Sequence, residues 1–175
     1  MKVRKLVKAV LTGGEARMIK IIAVGKCKEK ATRELIEEYL KRLGAYTKIE
    51  MIEVNDEQTP DRNSSAQNEE IKRKEGERIL SKIQSDEYVI LLDLQGKMLS
   101  SEGLSEKIDS IQTYQSSKLT FIIGGSLGVS EDIKKRSDFK WQLSALTFPH
   151  QIVRILLVEQ VYRAFKIHHH EPYHK

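Results

Sequence analysis

The sequence predicts an α/β fold, a mostly parallel sheet with helices on both faces. Short apolar runs alternate with amphipathic helical segments from residue 18 to the carboxyl end, which is typical of this class. Residues 88 to 94 (YVILLDL) are nearly all apolar, as expected of a strand covered on both faces. No internal repeat or linker interrupts these segments, so we expect one domain at 18–175. Residues 1–17 are expected to be a flexible extension.

The composition limits the class of protein. A chain of 175 residues is long enough for one well-buried core. Charged residues at 31% and aromatic residues at 6% exclude a disordered or fibrous protein. No apolar run reaches the roughly 20 residues that cross a bilayer, so we expect no membrane association. The single Cys27 cannot form an internal disulfide, which favours a cytoplasmic location.

The positive charge is concentrated at the amino end. The chain carries a net charge of +5, of which +4 lies in residues 1 to 17. The rest is nearly neutral, so an RNA partner requires a local basic surface or one pooled by two subunits. The extension is a poor signal peptide because Lys8 interrupts its short apolar stretch. A basic arm that contacts RNA stays an alternative.

The first elements are a strand, a helix and a second strand. Residues 19 to 24 (IKIIAV) predict a buried strand. Residues 28 to 43 have a helical apolar stripe, and we expect a cap near Thr32 and an end at Gly44. Residues 49 to 54 predict the second strand.

A charged helix and a third strand follow. Residues 55 to 66 are polar and predict a loop, and residues 65 to 83 carry a thin apolar stripe. Gly76 inside this helix costs about 1 kcal/mol relative to Ala, and either chance or a close approach by another backbone explains it. The strand at 88 to 94 is expected to be central, and residues 95 to 97 (QGK) to form a turn.

Two further elements precede the carboxyl-terminal motif. Ser100 is predicted to cap a helix that reaches about Ile111. Residues 119 to 123 form an apolar strand that ends at a glycine-rich loop, 124 to 128. Residues 130 to 132 open the next helix.

The glycine-rich loop GGSLG matches no common nucleotide motif. It lacks the Lys and Ser/Thr of a phosphate-binding P-loop, and its spacing differs from G-x-G-x-x-G. Glycines after a buried strand let a ligand or another segment contact the backbone. The spacing alone leaves a tight turn and a ligand-binding loop equally open.

The last helix is predicted at residues 151 to 165. Its apolar residues spread over more than half of its surface, so it needs two apolar neighbours. One is its own sheet, and we expect the other to be a second copy of the chain in a two-fold homodimer. The alternative is full burial within one subunit.

The tail HHHEPYHK at residues 168 to 175 resembles a metal cluster only superficially. Adjacent histidines on a chain end cannot converge on one ion without a fold that aims them, so we expect no metal. The same groups can hydrogen-bond to RNA, which is the preferred interpretation.

Several motifs together resemble a known family. They are AVGK, KEGERIL, LDLQGKMLSSE, FIIGGSLG, LSALTFPHQIVRILLVEQVYRAFKI and the closing YHK. In this order they resemble the RlmH family, bacterial methyltransferases of the large ribosomal RNA in the SPOUT class. The resemblance covers residues 18 to 175.

The resemblance implies a fold, a reaction and a set of partners. The fold is the SPOUT or α/β-knot fold, with a trefoil knot at the carboxyl end, and the protein is a homodimer. The reaction transfers a methyl group from S-adenosylmethionine to N3 of a pseudouridine, pseudouridine-1915 in the family name. That base lies in the helix 69 loop of 23S rRNA within the assembled ribosome.

Site residues are carried over by motif. The implied cofactor contacts are Leu92, Gly124, Leu143, Ser144, Ala145, Leu146, Thr147 and Phe148. The last six differ from family versions with Lys or Met in the middle, a change of small effect if backbone groups do the binding. The turns at 92–96, 124–128 and 143–149 follow three strands predicted to be neighbours, so they can surround one adenosine.

Candidate catalytic and RNA-binding residues lie near the carboxyl end. His174 is the candidate base or hydrogen-bond partner of the target nucleotide, and Tyr173 is a stacking surface. Lys175 is expected to bind phosphate. Arg154 and Arg163 are candidate RNA contacts, although an ion pair or a carbonyl contact is an equal alternative for each. We expect the tail of one subunit to reach RNA beside the cofactor of the other.

Other functions remain as alternatives at this point. One is a non-catalytic RNA-binding module, which would not bind S-adenosylmethionine. Another is a SPOUT methyltransferase that acts on tRNA. A nucleotide-dependent α/β enzyme of another type is disfavoured by the absence of P-loop and dinucleotide patterns.

Overall fold

The sheet has five strands, and every neighbouring pair is parallel. The structure, a computed structural model, describes residues 16 to 175, so residues 1 to 15 of the expected extension lie outside the described residues. The strands are β1 (Met18–Val24), β2 (Lys48–Val54), β3 (Tyr88–Met98), β4 (Lys118–Ile123) and β5 (Phe139–Gln142). Their order across the sheet is β2-β1-β4-β3-β5.

Helices cover both faces of this sheet, as the sequence predicts. They are α1 (Lys30–Leu43), α2 (Ser65–Leu80), α3 (Ser101–Tyr114), α4 (Glu131–Arg136) and α5 (His150–His168). On one face α1, α3 and α5 share a core with Ile19, Ile21 and Phe121. On the other, α2 and α4 pack with Ile22, Val89 and Ile122. The predicted α/β class is therefore confirmed.

Buried residues on both faces explain the nearly continuous apolar strands. Along β1, Ile19, Ile21 and Ala23 belong to one core and Ile22 and Val24 to the other. Since successive side chains of a strand point to opposite faces, each strand in the middle of the sheet is apolar along most of its length. The middle strand is β4, and β3 lies between β4 and β5.

Two local predictions are wrong. Thr32 is not the cap of α1, because the helix begins at Lys30 after Glu29, which makes no side-chain capping bond. Residues 95 to 97 are not a turn but part of β3, which has an irregularity where Leu92 and Lys97 both pair with Trp141. Gly96 permits this pairing, since a Cβ there would lie 2.5 Å from the carbonyl carbon of Lys140.

Two features define α2: its capped start and its close packing against the residues after β4. Ser64 and Gln67 form a reciprocal capping box that fixes the start of the helix. A Cβ on Gly76 would lie 2.5 Å from Oγ of Ser130, so this glycine is required for close packing against that side chain. Of the two explanations open for Gly76, close approach is the one observed, although the approaching group is a side chain.

The first described residues are tied to the domain. Arg17 hydrogen-bonds to Oδ1 of Asp109, at 3.3 Å, and to Oγ1 of Thr113, at 2.9 Å, both on α3. Across residues 16 to 175, the structure contains no helix with the length and apolar character needed to cross a membrane.

Candidate functional site

A cleft of about 450 Å³ opens at the carboxyl ends of β3, β4 and β5. These strands are adjacent and parallel, so the segments that follow them meet at one edge of the sheet, where open α/β folds bind ligands. The first turn of α5 closes one side of the cleft. Seven of the eight expected cofactor contacts line it: Leu92, Gly124, Leu143, Ser144, Leu146, Thr147 and Phe148. Ala145, the eighth, is exposed and is not among the lining residues.

The glycine loop is both a tight turn and a wall of the cleft. A Cβ on Gly124 would lie 2.7 Å from Cγ1 of Val129, and one on Gly125 would lie 2.6 Å from Oε2 of Glu75. Gly128 has a φ of +85°, in the left-handed region that favours glycine. The packing of the loop therefore requires glycine, and the same loop presents backbone to the cleft.

The loop after β5 contributes apolar surface. Leu146 is 68% exposed, and Leu94 of β3, which also lines the cleft, is 63% exposed. Oγ of Ser144 accepts a hydrogen bond from the N–H of Leu146 at 3.0 Å, which shapes the loop. Pro149, at φ −55° and ψ 143°, leads into α5 without a side-chain cap. Exposed leucines beside a concave site are suited to a ligand or a second subunit.

Charged groups of both signs border the cleft. Lys72 pairs with Glu69 at 2.5 Å and Lys134 pairs with Glu131 at 2.9 Å. The pKa of Lys134 is raised, chiefly by the hydrogen bond to Glu131. Asp93 also lines the cleft. A zwitterionic ligand would meet both charges at this rim.

Trp141 carries an unsatisfied donor at the cleft. Trp141 is one of the lining residues, only 3% of it is exposed, and Nε1 has no hydrogen-bond partner in the described part of the chain. A buried donor without an acceptor costs about 1 to 3 kcal/mol. A ligand with an acceptor at this depth would remove that cost, so the donor set fits a polar heterocycle such as adenine.

His150 also lines the cleft and was not identified from the sequence. It is the first residue of α5 and is half-buried. Burial and then the charge of Arg154 lower the pKa of its imidazole. The sequence did contain a signal for it. His150 directly follows Pro149 at the end of the loop after β5, and this position puts its side chain at the start of the helix, beside the loops.

The tail residues lie away from this cleft. Tyr173 donates its hydroxyl hydrogen to Oε1 of Glu159 at 3.1 Å, and its ring packs on Tyr162 with centroids 4.9 Å apart. Burial raises the pKa of Tyr173. Nε2 of His174 lies 2.6 Å from Oε1 of Glu102. Glu159 follows His150 by nine residues, about 14 Å along the helix axis. One chain therefore does not bring its own tail to its own cleft.

The two candidate arginines occupy different environments. Arg154 is fully buried and donates to the carbonyls of Val24, at 2.9 Å, and Gly25, at 2.7 Å, and to Glu53 at 3.2 Å. The carbonyl contact that the sequence left open is thus the observed role, and the expected RNA contact is corrected.

Arg163 forms a local cluster near the end of α5. It pairs with Oε1 of Glu159 at 2.5 Å and lies over the ring of Tyr173, 4.7 Å from its centroid. These contacts match the ion-pair alternative for this residue. Lys175 is exposed.

A pair of hydrogen bonds holds the tail against α5 and the turn that follows α1. Glu171 accepts hydrogen bonds from Nζ of Lys166 and from the hydroxyl of Tyr46, each at 2.5 Å. Lys166 and then Tyr46 hold the pKa of Glu171 below its ordinary value. In the described part of the chain, no group of three His, Cys, Asp or Glu side chains is placed to hold a metal ion.

Most of the apolar surface of α5 is buried within one subunit. Leu157, Val158, Val161 and Phe165 belong to the core that α1 and α3 share. Ile152, in the first turn, stays 41% exposed. Burial in one subunit thus accounts for the middle and end of the helix, while its start beside the cleft keeps apolar surface open.

Comparisons with known proteins identify one family of methyltransferases. The family model described as predicted SPOUT methyltransferase matches residues 18 to 174. A protein of Lysinibacillus sphaericus named ribosomal RNA large subunit methyltransferase H is 52% identical, over 90% of this chain and 99% of the relative. One of the same name from Carboxydothermus hydrogenoformans is 54% identical, over the same shares.

Solved structures give a weaker likeness. One, titled as a probable methylase family protein from Haemophilus influenzae Rd KW20, is 14% identical with a TM-score of 0.49. The alignment covers 90% of this chain and 70% of that one.

Proposed function

The chain belongs to the SPOUT methyltransferase family, and from this premise we propose that it transfers a methyl group from S-adenosylmethionine to 23S rRNA. The names of relatives that are 52% and 54% identical support ribosomal RNA as the substrate. We propose N3 of a pseudouridine in the helix 69 loop, on the assembled ribosome, as the acceptor. A hairpin-loop base costs little to extrude, so a small protein can reach it.

The convergence of the second half of β3 and two loops on one cleft is the observation that carries this proposal. Leu92, Gly124 and Leu146 are far apart in sequence and line the same space. The apolar walls suit an adenosine, and Nε1 of Trp141 offers a donor for one of its acceptors. Asp93 and Lys134 lie at the rim, where the amino and carboxylate groups of a methionine moiety would pair with them.

The side chains of the cleft have only a small part of the reaction to perform. S-adenosylmethionine, when bound, supplies a methyl group on a sulfonium, which is already a good leaving group. The cleft must therefore orient the target base, exclude water and assist removal of the N3 proton.

We further propose that the working form is a homodimer with a trefoil knot at the carboxyl end. The exposed Leu94, Leu146 and Ile152 beside the cleft support a partner surface. Tyr173 and His174, about half a helix from their own cleft, are proposed to meet RNA beside the cleft of the partner. Lys175 would bind phosphate. The domain is proposed to be residues 18–175, preceded by an extension at residues 1–17 whose last residue, Arg17, contacts α3.

Methyl transfer to ribosomes is the direct test. Purified protein and labelled S-adenosylmethionine are incubated with 70S ribosomes from cells lacking the gene, and the rRNA is mapped by mass spectrometry. We expect one added methyl group on a pseudouridine of the helix 69 loop. Absence of transfer to ribosomes, or transfer to tRNA instead, would contradict the proposal. No heat with S-adenosylmethionine in calorimetry would indicate a non-catalytic RNA-binding module.

Mixed dimers test the shared site. One subunit carries a cofactor-loop substitution and the other lacks residues 171 to 175, so each is inactive as a homodimer. Recovery of activity in the mixture is expected if tail and cofactor loop act from different subunits. No recovery would show that each site is built from one chain.

A further inference from the structure

His150 differs from the tail groups in having no partner within the fold. It lines the cleft at the first turn of α5, between the glycine loop and the loop after β5. In the described part of the chain, neither of its ring nitrogens has a hydrogen-bond partner. A neutral imidazole always has one nitrogen with a free lone pair. His150 therefore presents an unused acceptor to the space where the loops meet.

The lone pair of His174 is already engaged in the same structure. Nη1 of Arg163 lies 3.3 Å from Nδ1 of His174, and an arginine is only a donor. Nδ1 must then accept, so Nε2 carries the hydrogen that points to Glu102 at 2.6 Å. The acceptor nitrogen of His174 is therefore already occupied by the Arg163 contact.

Tyr173 is also poorly placed as a base. Its hydroxyl hydrogen is donated to Glu159, and burial raises its pKa. A phenol kept protonated at neutral pH cannot accept a proton. The tail groups are thus suited to stacking and hydrogen bonding.

We propose that His150 is the general base that accepts the N3 proton of the target nucleotide in the cleft. The inference rests on the proposed function, since it names the proton acceptor for that reaction. As N3 loses its proton to the free imidazole nitrogen, its electron pair forms the new bond to the methyl carbon. The electrons of the broken carbon–sulfur bond stay on sulfur, and the imidazolium later releases its proton to water.

The surroundings of His150 keep it unprotonated before the reaction. Burial lowers its pKa from the ordinary 6.5, and the nearby Arg154 charge lowers it further. Arg154 is held in place by the carbonyls of Val24 and Gly25.

Other charged groups border the same cleft and must be considered. They are Lys72 of α2, Asp93 of β3 and Lys134 of α4. Both lysines already pair with glutamates, which reduces their influence on the imidazole. Asp93 would favour the imidazolium that forms during transfer.

The test compares His150→Gln with the wild-type dimer on ribosomes. Glutamine keeps a polar side chain of similar size but cannot accept the proton. We expect the single-turnover methylation rate to fall by about 100-fold or more, while calorimetry shows unchanged affinity for S-adenosylmethionine. Gln151→Ala is the matched control, because its neighbouring side chain is not among the cleft residues, and it should keep the wild-type rate.

Two further readouts separate a base from a structural histidine. The wild-type rate should rise with pH to a plateau, with an inflection that His150→Gln lacks. NMR titration of the free protein should give His150 a pKa below 6.5, its signal being the one absent from the variant.

The possible failures are distinguishable. A variant with the wild-type rate, or one that loses cofactor binding in parallel with activity, would overturn the role of His150 alone. If wild-type protein transferred no methyl to ribosomes, the proposed function and this inference would both fall.

Discussion

The two ends of α5 are built in opposite ways. At its start, His150 has no hydrogen-bond partner in the described part of the chain, and Ile152 and the adjoining Leu146 are exposed. At its end, Glu159 binds Arg163 and Tyr173. Polar groups without a hydrogen-bond partner are available to bind a ligand, whereas polar groups that already have partners make the structure rigid. One rigid helix therefore carries an open binding surface at one end and a pre-assembled tail at the other.

This difference has a consequence for how the protein works. His150, at the open start, and Glu159, where the assembled second half begins, are about 14 Å apart along one helix. Methyl transfer requires the cleft and the tail at the same RNA base if the tail contacts the target. Because the two lie apart in one chain, the tail at a given cleft must come from a second copy, and the proposal therefore depends on a dimer.

The largest expected effect is on the free energy of unfolding, and it comes from the buried Arg154 near the open start of α5. Arg154→Met removes donors from two carbonyls and takes the ion-pair partner from Glu53, so we expect a loss of about 3 kcal/mol in the free energy of unfolding. Arg163→Met, at the other end of the helix, removes a partly exposed pair and should cost about 1 kcal/mol or less. Urea denaturation of both variants measures the difference. Equal losses would contradict the contrast between the two ends.

A second substitution addresses ligand binding at the open end. Gly124→Ala places a Cβ 2.7 Å from Val129, so the loop must shift. We expect about tenfold weaker binding of S-adenosylmethionine by calorimetry, equal to about 1.4 kcal/mol. The control is Gly44→Ala, at the end of α1 and outside the cleft residues, which should keep full affinity. Unchanged affinity in Gly124→Ala would exclude the glycine loop from the site.

The smallest effect concerns the pH dependence of the tail. Lys166 and then Tyr46 hold the pKa of Glu171 below 4.5, its ordinary value. The stabilisation is fully present above 4.5 and is lost as pH falls through the lowered folded-state pKa. The protection factor of the residue 171 amide, whose N–H donates to the carbonyl of Lys166, should therefore fall in acid while the amides of the sheet stay protected. In Glu171→Gln this fall should be absent, and the same acid response in that variant would assign it to another group.

The sequence predicts the sheet and the loops of the cleft better than the partners of single side chains. Apolar runs locate β1, β3 and β4, because strands buried on both faces leave a clear pattern, whereas no apolar run marks β5, whose sequence is FKWQ. The glycine in residues 95 to 97 suggests a turn, yet Gly96 serves a close pairing of β3 with β5 that only the tertiary fold reveals.

Buried polar groups explain the remaining differences. The complete burial of Arg154 and the open position of His150 depend on how α5 packs against β1 and the loops. Neither is readable from residue type or spacing. The same holds for the tail, whose position depends on Glu159, Glu102 and Tyr46, on three different elements.

The most direct test of the central claim is NMR mapping of S-adenosylmethionine on the labelled protein. The account predicts amide shift changes in three segments, 92 to 95, 124 to 129 and 143 to 148, together with the indole N–H of Trp141. A second depression, on α2, is lined by Arg73, Lys74, Glu77 and Arg78 and serves as the internal comparison. Changes confined to that depression, or scattered without the three loops, would contradict a cofactor site at the open end of α5.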